Sequence, residues 1–246
     1  MAWSGLGRDS ATVQYAFRDA VAWIAMDRPE VMNASSVALK GELVAAFERA
    51  NRDANVRAIV LTGNGRAFCA GGDRKESAAP TSAAYRLRIR MQQDICSGIW
   101  NSSKPVIAAV NGHAIGGGLE MAVACDIRLA GKSATFGTPV CSLGSISTGG
   151  LHEQLSRIVG AGHALHMLLS GETIDADAAL RIGLVSSVHD DRSLAEAAHR
   201  LAARIASYDA KSVAATRRAF REGMRPGFRA ALDLEEGLAV ELRDRA

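Results

Sequence analysis

Two glycine-rich turns and one glutamate are the residues of this chain whose types and spacing can do chemistry. The first turn runs Gly65-Arg66-Ala67-Phe68-Cys69-Ala70-Gly71-Gly72-Asp73, the second Asn111-Gly112-His113-Ala114-Ile115-Gly116-Gly117-Gly118-Leu119-Glu120. Glycine has no Cβ, so a ligand can lie directly against the main chain at such turns. The second turn opens a helical stretch, which leaves its first N–H groups unpaired and turns the positive end of the helix dipole toward the same space. If one N–H from each turn converges on a point, a carbonyl oxygen held there is stabilised as it gains negative charge. Gly72 and Gly117 are the candidate donors. Glu120 lies three positions after Gly117, so a helix brings its carboxylate round to the face of those amides, where negative charge is favoured. It is a candidate general base.

The elements that must position these turns are legible on either side of them. Val13 to Phe17 and Val21 to Met26 read as two strands at hairpin spacing about Arg18-Asp19, with Arg28-Pro29 stopping the second. Ser35 or Ser36 can cap a helix over Val37 to Arg52, where Val37, Leu39, Leu43, Val44, Phe47 and Ala50 recur at helical spacing and Lys40, Glu42, Glu48 and Arg49 fall between them. Ala58 to Thr62 and Val106 to Val110 are short apolar runs of the kind expected for strands buried on both faces, and each runs into one of the glycine turns. Between them lies a helix at about 83–100. Leu119 to Ala124 continues as helix and Ile127 to Ala130 as strand. Beyond Gly150 helices dominate, at about 151–159, 163–169, 176–182, 193–208, 210–221 and 228–243. The pattern predicts an α/β core over residues 1–190 and a C-terminal helical region over 191–246.

These segments resemble the enoyl-CoA hydratase/isomerase (crotonase) superfamily. The matching motifs are Arg28-Pro29 with Asn33-Ala34, the Ala67 to Asp73 turn, Lys104-Pro105 through Gly112 into Gly116-Gly117-Gly118-Leu119-Glu120, Ala124-Cys125-Asp126-Ile127-Arg128, and Thr135-Phe136-Gly137-Thr138-Pro139. Leu155 to Gly160, Gly171 to Ala176 and Gly183-Leu184-Val185 extend the likeness over nearly the whole chain. The resemblance implies a ββα superhelix core with a C-terminal helical trimerisation region, and a homotrimer or dimer of trimers. It implies an acyl-CoA thioester as substrate, with coenzyme A entering only as part of it and no metal or nicotinamide. By position it assigns the oxyanion donors to Gly72 and Gly117, proton transfer to Glu120, and contacts with the substrate to Arg28, Ala70, Asp73, Val140 and Thr148. One departure stands out. Val140 occupies the place where hydratases of the family carry a second glutamate, and valine moves no proton. The following stretch, Ile146-Ser147-Thr148-Gly149-Gly150-Leu151-His152-Glu153, also differs from the family pattern, and Ser147, Thr148, His152 and Glu153 are its candidate polar replacements. A single base suits proton abstraction, a 1,3-proton shift, or a cleavage assisted by the enolate. A thioesterase, a decarboxylase and a non-catalytic binding member of the same fold are the alternatives.

The bulk properties exclude other classes. Of the residues, 48% are hydrophobic and 22% charged, ordinary globular composition that argues against disorder. Twenty-nine basic against 26 acidic residues leave a formal charge of +3, spread along the chain, so no nucleic-acid partner is implied. The apolar runs are too short for a bilayer, and the N-terminus lacks a basic segment followed by an apolar signal core, so a cytoplasmic protein is expected. Cys69, Cys96, Cys125 and Cys141 show no C-x-x-C pair and are expected as reduced, mostly buried thiols. His163 and His166 would share a helix face without a third ligand. Gly144-Ser145-Ile146-Ser147-Thr148 lacks the closing glycine of a nucleophile elbow. Asp73 is expected to start a helix, Asp126 to be structural, and the basic segment around 211–225 to be a solvated helix face.

Overall fold

The computed structural model describes residues 11–77 and 81–223, with Asp233, Glu236, Gly237 and Val240. A hairpin opens the fold: β1 (Val13–Arg18) and β2 (Val21–Met26) pair antiparallel. The turn falls on Asp19 and Ala20, both at positive φ, one residue later than the Arg18-Asp19 position expected. α1 (Val37–Arg52) begins at Ser36, whose side chain accepts the Leu39 N–H at 3.1 Å. β3 (Ala58–Gly63), β5 (Val106–Val110), β7 (Ile127–Gly131) and β10 (Ser187–His189) continue the sheet in parallel, in the order β1-β2-β3-β5-β7-β10.

Both faces of this sheet are covered, and side chains alternate between them with the period of two that strands impose. Ile24, Met26, Ile59, Leu61, Ala108 and Val110 enter the larger core under α1, while Val21, Trp23, Val60, Ile107 and Ala109 meet Leu194, Ala198 and Ala202 on the other side. Those last three lie on α7 (Leu194–Ala206), which ties the first helix beyond residue 190 to the sheet.

A second sheet lies beyond what the sequence pattern predicts. β4 (Ala67–Cys69), β6 (His113–Ile115), β8 (Thr135–Gly137) and β9 (Ile174–Asp175) form four strands of two or three residues in that order. Strands so short, closed by glycine or proline, are indistinguishable from turns in a periodicity count. α3 (Ser82–Trp100), capped by Thr81, crosses beside α1, and α4 (Gly117–Ala124) starts two residues earlier than its apolar run. The pair of helices expected at 151–159 and 163–169 is α5 (Leu151–Ser170), kinked at Gly160 (φ 78°). α2 (Arg74–Ser77) and α6 (Ala176–Arg181) are short, and α8 (Ala210–Gly223) is the last long helix of the described residues. The expected helix at 228–243 falls largely outside them. No helix among the described residues is long and apolar enough to cross a membrane.

α8 corrects one expectation. Its basic residues do not all form a solvated face, because Arg217 and Arg221 turn inward to Asp126, at 2.7 and 2.6 Å, while the Arg221 guanidinium lies 4.2 Å over the Trp100 ring. Asp126 also accepts the Val106 N–H at 2.8 Å, so it is structural as expected. Asp126→Ala would leave two part-buried guanidinium groups facing each other, and a loss of about 2–4 kcal/mol of stability is expected. Thermal unfolding, with limited proteolysis to detect release of α8, measures it.

Three of the cysteines are buried and Cys141 is exposed; all four are free. Burial pushes the Cys69 thiol up to about 11 and the Cys125 thiol up to about 12, so neither is a nucleophile at neutral pH.

Candidate active site

The second sheet explains why the two glycine turns meet. β3 passes through Asn64, Gly65 and Arg66 into β4, and β5 passes through Asn111 and Gly112 into β6. β4 and β6 then pair in parallel, Ala67 opposite His113 and Cys69 near Ala114. The turns that follow are therefore delivered side by side. Two asparagines pin the change of sheet. Asn111 Oδ1 accepts the Gly63 N–H at 3.1 Å and its Nδ2 donates to Gly65 O at 3.0 Å, while Asn33 Nδ2 donates to Asn64 O and Ala67 O at 3.0 and 2.8 Å.

At the first turn, Gly71 takes φ 93°, a conformation that side-chain-bearing residues rarely adopt. A Cβ there would lie 2.9 Å from Ile115 O and 3.8 Å from Gly117 N, which measures how closely the two turns approach. The Ser35 N–H donates to Gly71 O and the Asp73 N–H to Ser35 O, a parallel bridge that sends the Gly72 N–H to the opposite side. Among the described residues, no main-chain hydrogen bond uses the N–H of Gly72 or Gly117. Gly72 is exposed and Gly117 half-buried, the first residue of α4. Both amides are thus available where the turns face each other.

Glu120 is 4% exposed and sits in the first turn of α4. Its Oε1 accepts the Thr148 N–H at 2.8 Å. A Cβ on Gly149 would stand 2.7 Å from Glu120 Oε2 and 2.8 Å from Cys96 Sγ, so the 148–149 main chain closes over the carboxylate. The 146–153 segment therefore touches the candidate base through its backbone. Of the replacement groups, Ser147 is buried and its hydroxyl lies 2.9 Å from that of Thr138. Glu153 instead pairs with Arg157 at 2.5 Å, and His152 is half-buried on α5. Val140 is half-buried, with its carbonyl accepting the Leu143 and Ser145 N–H groups.

Two buried polar residues escape the sequence pattern. Gln92, on α3, is buried and donates from Nε2 to Gly117 O at 3.1 Å. Lys40 was placed among the polar residues of α1, yet it is 5% exposed. α3 packs over that turn of α1, and only a burial pattern that includes the neighbouring helix reveals it.

Arg28, Ala70 and Asp73 lie together along the rim. Arg28 Nη1 donates to Asp73 Oδ2 at 2.9 Å and to Ala34 O at 2.6 Å, and the Ala70 N–H donates to Met32 O at 3.0 Å. Asp73 also accepts the Lys75 N–H, as a helix-start residue does. The hydrogen bond from Arg28 holds the Asp73 carboxyl below the usual carboxylate range. A depressed native pKa contributes stability above the unfolded value of about 4, lost as pH falls through the native one. Arg28→Met should therefore be less stable than wild type near neutrality, with the gap narrowing as pH drops below 4. Urea midpoints between pH 7 and pH 3 test this, and a gap independent of pH would rule out the ion pair as its source.

Comparison with known proteins identifies the family. The (E)-benzylidenesuccinyl-CoA hydratase of Thauera aromatica is 40% identical over 202 residues, covering 81% of this chain and 78% of that one. The 2,3-dehydroadipyl-CoA hydratase of Escherichia coli (strain K12) is 37% identical over 215 residues, 87% of this chain and 84% of that one. The crystal structure of an enoyl-CoA hydratase from Bacillus anthracis superposes with a TM-score of 0.85 at 33% identity, covering 96% of this chain and 92% of that one. The Enoyl-CoA hydratase/isomerase family model matches residues 16–246. With the crotonase fold shared and the match running almost end to end, this chain belongs to the enoyl-CoA hydratase/isomerase family, whose members act on acyl-CoA thioesters.

Proposed function

We propose that this enzyme is an acyl-CoA lyase or isomerase that works through a thioester enolate, with Glu120 as its acid/base. The thioester oxygen would lie between the Gly72 and Gly117 N–H groups, a reading supported by their being unused by the main chain and by the close approach of the two turns at Gly71. As a proton leaves the carbon beside the carbonyl, charge grows on that oxygen, and two fixed donors stabilise it without reorganising. Glu120 takes or returns the proton, held in place by the Thr148 N–H. That bond is the observation that carries the proposal, since it orients a buried carboxylate on the same helix as one of the donors. Coenzyme A would run along Arg28, Ala70 and Asp73, and Val140 and Thr148 would border the acyl group.

Hydration of an enoyl thioester is the second reading. The relatives from Thauera and Escherichia are named as hydratases, and both are named for acyl groups that keep a second carboxyl. A panel of enoyl, hydroxyacyl and malonyl-type thioesters, with products identified by mass, separates the readings. A gain of one water supports hydration, an unchanged mass with a moved double bond supports isomerisation, and free thiol or carbon dioxide identifies a thioesterase or a decarboxylase. Binding without turnover across the panel would instead mark a non-catalytic member. The expected trimer or dimer of trimers is supported by exposed Tyr208 and Phe220 beside a cavity of about 690 Å³ under α8.

A further inference from the structure

Gln92 is a buried amide that the chemistry above does not use. It lies on α3 in line with Ile89, Cys96 and Ile99, spaced so that an apolar side chain at 92 would continue the same buried face. At 6% exposure an amide is costly there unless its polar atoms are bonded. Its Nε2 donates to Gly117 O at 3.1 Å and to Cys96 Sγ at 3.7 Å. A Cβ built on Gly117 would stand 3.1 Å from Nε2 and 3.3 Å from both Cδ and Oε1, so the carboxamide lies against the glycine as well as being bonded to it. The contact falls on the candidate oxyanion donor itself.

The start of α4 has little of its own to hold it. Gly116, Gly117 and Gly118 follow one another, Gly116 takes φ 52°, and no side chain caps the helix. Glycine restricts its backbone torsions least, so three in a row let the peptide planes swing. Bonds from the surrounding chain fix them one by one. The Gly116 N–H donates to Gly137 O at 2.9 Å, Gly116 O accepts the Glu120 N–H at 3.0 Å, and Gly118 is packed against Cys69 O. At Gly117 O a side chain from another helix supplies the hold. We infer that Gln92 is a positioning residue, which aims the Gly117 N–H at the thioester oxygen by gripping the carbonyl of the same glycine. The inference rests on the proposed role of Gly117 as an oxyanion donor. Such a donor is effective when its direction is set before charge develops, whereas an amide that swings must be reoriented on the way to the transition state.

The test reads the carbonyl directly. Infrared difference spectra of hexanoyl-CoA carrying a carbon-13 label at its thioester carbonyl report how strongly the bound oxygen is pulled, in wild type and in Gln92→Met, which keeps the length of the side chain and loses the amide. In wild type the band of the bound thioester is expected at lower frequency than in water. In the variant it should broaden and move back toward the free position. With the best thioester of the panel kcat should fall by about 10–100-fold, the scale for a misdirected group and no more than deleting a donor outright costs, while KM stays within a few-fold of wild type. Gln92→Asn, which keeps an amide but stops a methylene short of Gly117 O, should behave in the same way, and it takes over the test if the methionine variant does not fold. A wild-type band that is absent or unshifted removes the oxyanion reading, and the role of Gln92 with it. A shifted wild-type band that the variants leave in place overturns the positioning role alone, even where kcat has dropped, because a merely structural loss does not change the pull on the carbonyl.

Discussion

Glu120→Gln is expected to lower kcat by about 10³-fold or more while acyl-CoA binding stays within a few-fold of wild type. The amide preserves the shape of the carboxylate and can still accept the Thr148 N–H, so the wall over the site keeps its place. Only proton transfer is lost. Single-turnover kinetics with the best thioester of the panel gives the rate, and calorimetry with a saturated analogue gives the affinity. A variant that turns over at the wild-type rate would remove Glu120 from the mechanism, and one that fails to bind would show the carboxylate to be a ligand contact.

Gly118→Ala should be nearly as damaging, for a different reason. A Cβ at this position would fall 2.1 Å from Cys69 O and 2.9 Å from Cys69 C, both main-chain atoms of β4. β4 cannot yield, because it is paired with β6 and tied to Asn33 and Asn111. The start of α4 must then move away, carrying Gly117 and Glu120 with it. Overpacking of this kind costs about 3 kcal/mol or more, which lowers Tm by roughly 6–12 °C in a domain of this size. A displacement of about 1 Å at reacting groups costs about 100-fold in rate. Gly162→Ala is the control: it lies in α5 with nothing within 4 Å of an added Cβ, so activity and stability should hold. Equal behaviour of the two variants would mean that the close packing of α4 on β4 does not set the geometry of the site.

What could be seen in advance follows from the length scale of each signal. α1 was bounded to the residue, since its stripe is long and Ser36 caps it, and the strands buried on both faces stood out as apolar runs between turn residues. Glu120, Gly72 and Gly117 can be singled out as candidates because helix periodicity and free helix-terminal amides are local properties. Non-local features were not. The second sheet arises from two- and three-residue strands recognised only when paired. Thr148 was named as a substrate contact from its place in the chain, but that its N–H holds Glu120 depends on α4 and the 148–149 segment meeting in space. Lys40 looked like an ordinary exposed lysine, and Arg217 and Arg221 like a solvated face, until the helices across from them were in place.

The route of the main chain at 63–67 and 110–113 has one further outcome. Both donor loops hang from a single hydrogen-bonded block, whereas the segment covering the carboxylate arrives after a 3-10 turn with exposed residues at Cys141–Leu143. On the proposed mechanism, the electrophile's cradle and the proton carrier's lid would therefore answer to separate parts of the fold. Substitutions on the lid would then be expected to alter proton transfer while the cradle keeps its dimensions.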